Sequence, residues 1–503
     1  MNLESVGGLA VHEILTKVGP TGAASAASVS KRFRDWTADE SLWSKFCADD
    51  LQLSVPEDPF GNPISTFKEA YKIWRESFGM YPWPLVMRVR RCWARLKCWL
   101  SENFPEALAT LRKGASEDEI KEFEKKLKVK LPLPTRVLYR FCDGQDILSK
   151  KISGGMYGNP LGLIGGYCFY ESLVNVYLLP LSRIILETKD IVHQLGFSRR
   201  SKYIVVATSS TNTEKIFFLN CTNGQLCVGT QNLATDGEMI PCVPNALLSS
   251  VHDSGGSQQQ DALLLWLEEH GRRLHNGIIK LREEGKIRSI NQFPEEAPHC
   301  STAITNGVQA AVRASAVLVP EFSDLKHKPG EYFFSYSIRM SLSPEGCIIN
   351  GVSSGSCQLY WRHWIIRAND AVVSDVNGEA VIGKYPLLLP GEKEFVYESC
   401  SHLSSSSGSI EGSFTFVSGS DGVWIAFRIL FIIHHVSLSD HDLCDWPIPK
   451  AGRLRLKWRV FLSRCRTTFS KITVVFLGGL ILGPKKPENT VEDLKKKIIS
   501  YLW

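Results

Sequence analysis

Residues 332–340, YFFSYSIRM, set Phe334, Tyr336, Ile338 and Met340 two positions apart. That is the period of a β-strand, so one face of the segment is apolar and seeks a core. Residues 358–367, QLYWRHWIIR, repeat the aromatic and β-branched composition, and shorter runs at 395–399 and 413–417 follow, with Gly, Pro and Asn between them. Short strands separated by turn residues predict a β-sandwich over 300–419.

Upstream of that segment the grammar changes. Ser116-Glu117-Asp118-Glu119 is a capping box, and Ile120, Phe123 and Leu127 behind it share one helical face. A second helix is expected to end at Phe141, before Asp143-Gly144. Apolar runs at 161–170, 174–179, 203–207 and 216–219 read as strands, and Asn223-Gly224 marks a hairpin. Residues 105–250 are therefore expected to form a mixed sheet flanked by helices. A polar stretch at 252–260, a helix over about 261–274 and a polar, Pro-containing stretch to 300 make 251–299 a linker with a helix.

Farther out, Val11, Ile14, Leu15 and Val18 recur at helical spacing, Gly19-Pro20 breaks the run, and Ser41-Leu42-Trp43 opens another helix. Residues 1–50 are too few to bury much alone and need a partner. Residues 51–104 read as a helical connector. Its Trp83, Trp93 and Trp99 alternate with Arg88, Arg90, Arg91, Arg95 and Lys97, a mixture that can bind nucleic acid. The apolar stripe Val89, Trp93, Leu96 and Leu100 favours an amphipathic packing helix instead.

Composition sets the outer limits. A chain of 503 residues, 44% hydrophobic and 22% charged, is long enough for about three domains. Lys and Arg number 44 against 45 Asp and Glu through residue 419, and 14 against 7 after it. The body is neutral, so no nucleic-acid partner is expected. Fourteen cysteines without a C-x-x-C argue against zinc ribbons and disulfide scaffolds and for a reducing compartment, nucleus or cytoplasm. The amino terminus has no basic, then apolar, leader. The basic and apolar tail, 420–503, shows no strand or turn grammar that extends the sandwich. Its apolar runs are shorter than the ~18 residues a bilayer span needs, so membrane contact is a minor reading.

No catalytic constellation is present: no G-x-S-x-G, H-E-x-x-H or Walker loop. His434, His435, His441 and Cys444 match no metal-ligand spacing, so no metal or other cofactor is expected. Arg362-His363 lies between two tryptophans, either as a polar pair at a ligand groove or, by strand alternation, at a sheet edge or hydrogen-bonded. Gly378 to Gly383, followed by Lys384, is either an anion-cradling loop or a tight turn between strands.

Three segments carry resemblances. VHEIL (11–15) with VSKRFRDWTADESLWSKFC (29–47) resembles an F-box, with Val6-Gly7 where the usual Leu-Pro opening stands. SEDEIKEFEKKLKVKLPLPTRVLYRFCDGQ (116–145) resembles the start of a SUKH (Smi/Knr-type) domain. YSIRMSLSPEGC (336–347), CQLYWRHWIIRAND (357–370), VNGEAVIGKYPLLLPGEKEFVYESC (376–400) and GSIEGSFTFV (408–417) resemble ApaG, a fibronectin-type sandwich. This order is that of a plant F-box family whose members interact with a Skp-type adaptor. The match covers about 1–418.

The resemblance implies a multidomain α+β chain: a three-helix F-box (1–50), the connector (51–104), a SUKH domain (105–250), the linker (251–299), an ApaG domain (300–419) without its closing strand, and an atypical tail (420–503). It implies a non-enzymatic substrate-recognition subunit of a Skp–cullin–F-box ubiquitin ligase. Leu9, Val11, Ile14, Leu15, Leu42 and Trp43 would meet the adaptor. The SUKH and ApaG domains would hold an unidentified target. The competing reading is a polyphosphate-binding or scaffold protein using Gly378, Gly383 and Lys384. ApaG loops carry a glycine where this chain has Ala380.

Overall fold

The computed structural model describes residues 7–146, 160–169, 172–198, 202–209, 215–249, 259–284, 287–297, 299–305, 308–326, 330–349, 352–418, 426–435, 461–462 and 474–475. The chain opens with α1 (Gly8–Ala26), α2 (Lys31–Trp36) and α3 (Glu40–Leu51). Gly19, at φ +80°, breaks α1 in two; only glycine adopts that angle without strain, and Pro20 starts the second segment. Ser30 Oγ accepts the Phe33 N–H to start α2, and Asp39 Oδ1 accepts the Ser41 N–H to start α3.

Residues 51–104 are not a connector. They supply α4 (Phe67–Phe78) and α5 (Trp83–Asn103), which form a spine of the core. Trp74, Phe78 and Trp93 are among the most deeply buried large side chains, and the stripe Val89, Trp93, Leu96 and Leu100 is wholly inside. Three of the five cations between the tryptophans have partners within the chain. Arg88 clamps Glu268 through Nε (2.7 Å) and Nη2 (2.5 Å), Arg90 pairs with Glu57, and Arg91 donates to Gln52. Amphipathicity does not distinguish a helix that joins domains from one that the next domain wraps.

The central unit adds α6 (Pro105–Leu108), α7 (Glu117–Leu127), α8 (Leu133–Phe141) and α9 (Leu181–Glu187) to β1 (Gly165–Phe169), β2 (Ser172–Leu178), β3 (Tyr203–Ser209), β4 (Ile216–Asn220), β5 (Leu226–Gly229) and β6 (Met239–Pro241). The capping box forms: Ser116 Oγ accepts the Glu119 N–H and Glu119 Oε2 accepts the Ser116 N–H. The Asn223-Gly224 turn joins β4 to β5, with Gly224 at φ +77°.

The expected linker at 251–299 is part of this unit. α10 (Ala262–His275) packs on α5 and α8, and β7 (Lys280–Glu284) with β8 (Ile287–Asn291) completes an eight-stranded sheet in the order β6-β5-β4-β3-β2-β1-β8-β7. The β1–β8 pair is parallel and its neighbours antiparallel. Asp261 secures the helix start, accepting from Leu264 N and from both N and Oγ1 of Thr135 on α8. The charges of KLREEGKIRSIN hid the hairpin: they sit at a sheet edge, where alternating polar residues are solvated or paired.

The carboxyl-terminal unit is a two-sheet sandwich, as expected. β9 (Cys300–Thr305), β10 (Val308–Leu318), β11 (Tyr332–Ile349) and β12 (Val352–Ser354) run in order in one sheet, and β16 (Phe395–Leu403) also pairs with β11. The other sheet has the order β14-β13-β17-β18, from β14 (Ala371–Glu379), β13 (Cys357–Ala368), β17 (Gly408–Ser418) and β18 (Ala426–His435); β15 (Leu387–Leu388) pairs with the start of β13. Phe334, Tyr336, Ile338 and Met340 are all buried, and Trp364 meets Phe414 edge to face at 5.2 Å.

The expected absence of a closing strand is corrected here. β18, read from sequence as unpatterned tail, pairs along β17 from Val417↔Ala426 to Gly408↔His435 and lies against β9 and β10 of the facing sheet. Its apolar residues, interrupted by Arg428, follow one another without the alternation that marks a half-exposed strand. The cluster His434, His435, His441 and Cys444 lies outside the residues whose side chains are described.

The two units share a junction. Val317, Val319 and Phe333 join the core of the central unit, and buried Glu295 is held by Arg282, Lys280 and Arg313. Among the described residues no helix is long and apolar enough to cross a membrane.

Candidate functional site

The first fifty residues present two distinct faces. The inner face is built from α1 and α3. Val11, Leu15, Leu42 and Trp43 are buried there, together with Phe46 and Cys47. Trp43 donates from Nε1 to the Thr37 carbonyl (2.7 Å), meets Phe46 edge to face and tilts onto Tyr71 of α4 (5.7 Å). The ammonium of Lys68 sits 5.5 Å from the Trp43 ring and donates to the same carbonyl. Tyr71 Oη donates to Asp50 (2.6 Å) and Glu40 accepts the Phe67 N–H, so both ends of α3 are tied to α4. Burial pushes the Cys47 thiol up to about 12, which makes it an inert packing group.

The outer side carries several exposed apolar side chains beside the exposed Glu13–Lys17 ion pair. Leu9 is 92% exposed, Val18 58%, Val29 71% and Ile14 41%. Ile14 and Val18, four residues apart, share one side of α1. His12 bonds Ser41 Oγ at 3.1 Å, and the N–H and O–H that Ser41 donates hold the Asp39 carboxyl below its usual range. Of the six residues read as the adaptor contact, Leu9 and Ile14 are on the outside; Val11, Leu15, Leu42 and Trp43 anchor the helices to the body. Helical spacing identifies an apolar stripe without saying which edge of it faces inward. Val18 and Val29 complete the outer face, and Val18 was already visible in the spacing.

The loop after β14 is a turn and not an anion cradle. Val381 and Lys384 exchange backbone hydrogen bonds (3.0 and 2.8 Å) around Ile382 and Gly383, both at positive φ, the geometry of a tight hairpin turn. The Ala380 N–H bonds the Tyr360 carbonyl. The N–H groups of Ala380, Val381 and Lys384 are thus engaged by carbonyls, and the Arg362 guanidinium is turned onto the carbonyls of Glu379 and Ala380. Gly378 lies in β14, paired with Arg362, apart from Gly383 and the exposed Lys384. His363 Nε2 bonds Asp375 of β14 at 2.8 Å, so the pair between the tryptophans is hydrogen-bonded, on a strand paired on both sides rather than at a sheet edge. Among the described residues no group of three His, Cys, Asp or Glu could hold a metal.

Short amino-terminal helices, a central α/β unit and a terminal β-sandwich thus follow one another along the chain. The SMI1/KNR4 family (SUKH-1) matches residues 114–245 and the ApaG domain matches residues 323–418. F-box protein SKIP16 of Arabidopsis thaliana is 58% identical over 421 residues, 84% of this chain and 94% of its own length. The chain belongs to that family of F-box proteins, with a central SUKH domain and a carboxyl-terminal ApaG domain. F-box only protein 3 of Homo sapiens is 24% identical over 404 residues, 77% of this chain and 73% of its own. Protein ApaG of Nitrosomonas europaea is 36% identical over 118 residues, 24% of this chain and 83% of its own.

Proposed function

We propose that this chain is the substrate-recognition subunit of a Skp–cullin–F-box ubiquitin ligase. The observation that carries the reading is the outer face of the first helices. Four large apolar side chains, Leu9, Ile14, Val18 and Val29, stand in solvent on a segment whose other side is locked to the body. Exposed apolar groups concentrated in so short a segment mark a protein-binding surface. A Skp-type adaptor would cover them and join the chain to the cullin. The SUKH and ApaG domains would hold the target.

The contribution to ubiquitin transfer is positional and not catalytic. A bound target presents its lysines at the millimolar effective concentrations that tethering supplies. Because the SUKH domain shares buried contacts with α4 and α5, and the ApaG domain shares a buried junction with the SUKH domain, the tether is stiff. The nucleus or cytoplasm, where thiols stay reduced, suits the eleven cysteines with described side chains, from Cys47 to Cys400, which form no disulfide. The polyphosphate alternative has no support in the loop at 381–384.

Co-purification with a Skp-type adaptor tests the reading. The double variant Ile14→Asp/Val18→Asp should keep the wild-type circular dichroism spectrum and lose the adaptor. A wild-type chain that binds no Skp-type adaptor would sink the proposal.

A further inference from the structure

The second sandwich sheet ends at β14, whose outer edge pairs with no strand among the described residues. Such edges are normally blunted by Lys, Pro or a short strand, because their backbone groups can pair with another chain. β14 is nine residues long, and positions 370–379 (DAVVSDVNGE) hold no Lys, Arg or Pro. Its single interruption is the register shift beside Val373. Val372, Val373 and Val376 are 51%, 49% and 38% exposed. The charges on this edge, Asp370, Asp375 and Glu379, are all negative.

At the far end of the strand the chemistry is more specific. Glu379 pairs in register with Trp361 on β13. Its carboxylate accepts from Tyr385 Oη (2.7 Å) and lies 3.5 Å from Tyr360 Oη, and Tyr360 packs 6.3 Å from Trp361. All three rings are more than a third exposed. Among the described residues Glu379 makes no ion pair, although Lys384 is five positions away in sequence. A carboxylate ringed by exposed aromatic groups is a receptor for a cationic side chain, which gains both a charge-assisted hydrogen bond and ring contact.

We propose that the outer edge of β14 takes an extended, basic and apolar segment of the target protein as an added strand, with a Lys or Arg of that segment set against Glu379 among Tyr360, Trp361 and Tyr385. The exclusively acidic edge selects the charge of the partner, the exposed valines select its alternate apolar residues, and the backbone supplies the pairing. This rests on the target-holding role proposed above for the ApaG domain and names the chemistry of the target.

The test uses the full chain and a fluorescein-labelled nonapeptide of alternating Arg and Val, with Glu/Val and Arg/Gly nonapeptides as counterparts. The Arg/Val peptide should bind, protect the amides of 371–379 from hydrogen exchange, and weaken as salt rises. Glu379→Gln should weaken it about tenfold, the loss of one charge-assisted contact. Val372→Lys/Val376→Lys, both on exposed positions, should abolish binding while leaving adaptor co-purification intact. Equal binding of the Glu/Val or Arg/Gly peptide, or unchanged binding by either variant, would overturn the proposal. Peptide binding without adaptor binding would instead defeat only the ligase reading.

Discussion

Lys215 and Glu321 come from different domains and meet inside the protein. Their ammonium and carboxylate stand 3.6 Å apart with side chains only 1% and 3% exposed. Tyr167 Oη lies between them, accepting from Lys215 (3.0 Å) and donating to Glu321 (2.5 Å). Burial lowers the Lys215 pKa, and the Glu321 carboxylate opposes that shift. The SUKH and ApaG domains are therefore joined by a desolvated polar contact as well as by apolar packing.

Removing one member of a buried pair leaves the other charge without compensation. Lys215→Met should destabilise the chain by about 3 kcal/mol, seen as a lower urea midpoint. Lys215→Met/Glu321→Gln should recover much of that loss, because two neutral groups need no counter-charge. A double variant as unstable as the single one would show that packing, and not charge, holds the junction.

Leu42 and Trp43 have no exposed surface to offer a partner. Leu42→Ala should cost about 2–5 kcal/mol, the range for a buried leucine truncated to a cavity. Adaptor binding by that variant should fail only at temperatures where its helices have melted. Ile14→Asp/Val18→Asp should show the converse, normal melting with no adaptor. Thermal melts run beside the co-purification separate the two.

His270 is stacked on Trp266 with ring planes 10° apart, and its Nε2 lies 2.9 Å from the Leu163 carbonyl. Burial pulls its pKa from 6.5 to about 4, opposed by the Leu163 carbonyl. The folded protein thus holds this ring neutral where the unfolded chain protonates it. Its stability contribution is complete above pH 6.5 and is lost as the pH falls towards 4. Between pH 7 and pH 5 the loss from this ring is about 2 kcal/mol. His270→Asn should flatten the dependence of the urea midpoint over that interval, and an unaltered slope would remove His270 as its source.

β18 covers one side of β17, so a chain ending at residue 418 should expose that strand's edge. It should melt at lower temperature and aggregate, and a chain ending at residue 435, which keeps β18, should melt higher than the one ending at 418. Dynamic light scattering during thermal melts distinguishes them. Equal behaviour of the two truncations would show that the sandwich closes without β18.

Elements whose local pattern matches their environment were readable in advance. The helix after Ser116 was visible because its cap is a contact between neighbours in sequence. The hairpin at Asn223-Gly224 was visible because a turn needing positive φ needs those residue types. β11 showed its alternation because one of its faces packs against the opposite sheet. β7 and β8 were missed because their apolar positions are few and their charges belong to a domain junction. β18 was missed because its sequence, AFRILFIIHH, shows no alternation.

The apolar stripe of α1 followed the same division. Spacing alone revealed that α1 carries an apolar stripe wider than one contact. Local pattern and residue chemistry, being properties of near neighbours, decided the kinds of element in this chain, their order and its lack of a recognisable catalytic motif. The fold decided which edge of the α1 stripe faces inward, that α10 and its hairpin belong to the central sheet, and that Glu379 stands among three aromatic rings. Those outcomes depend on contacts between residues far apart in the chain, and no local periodicity encodes which distant surface will cover a given face.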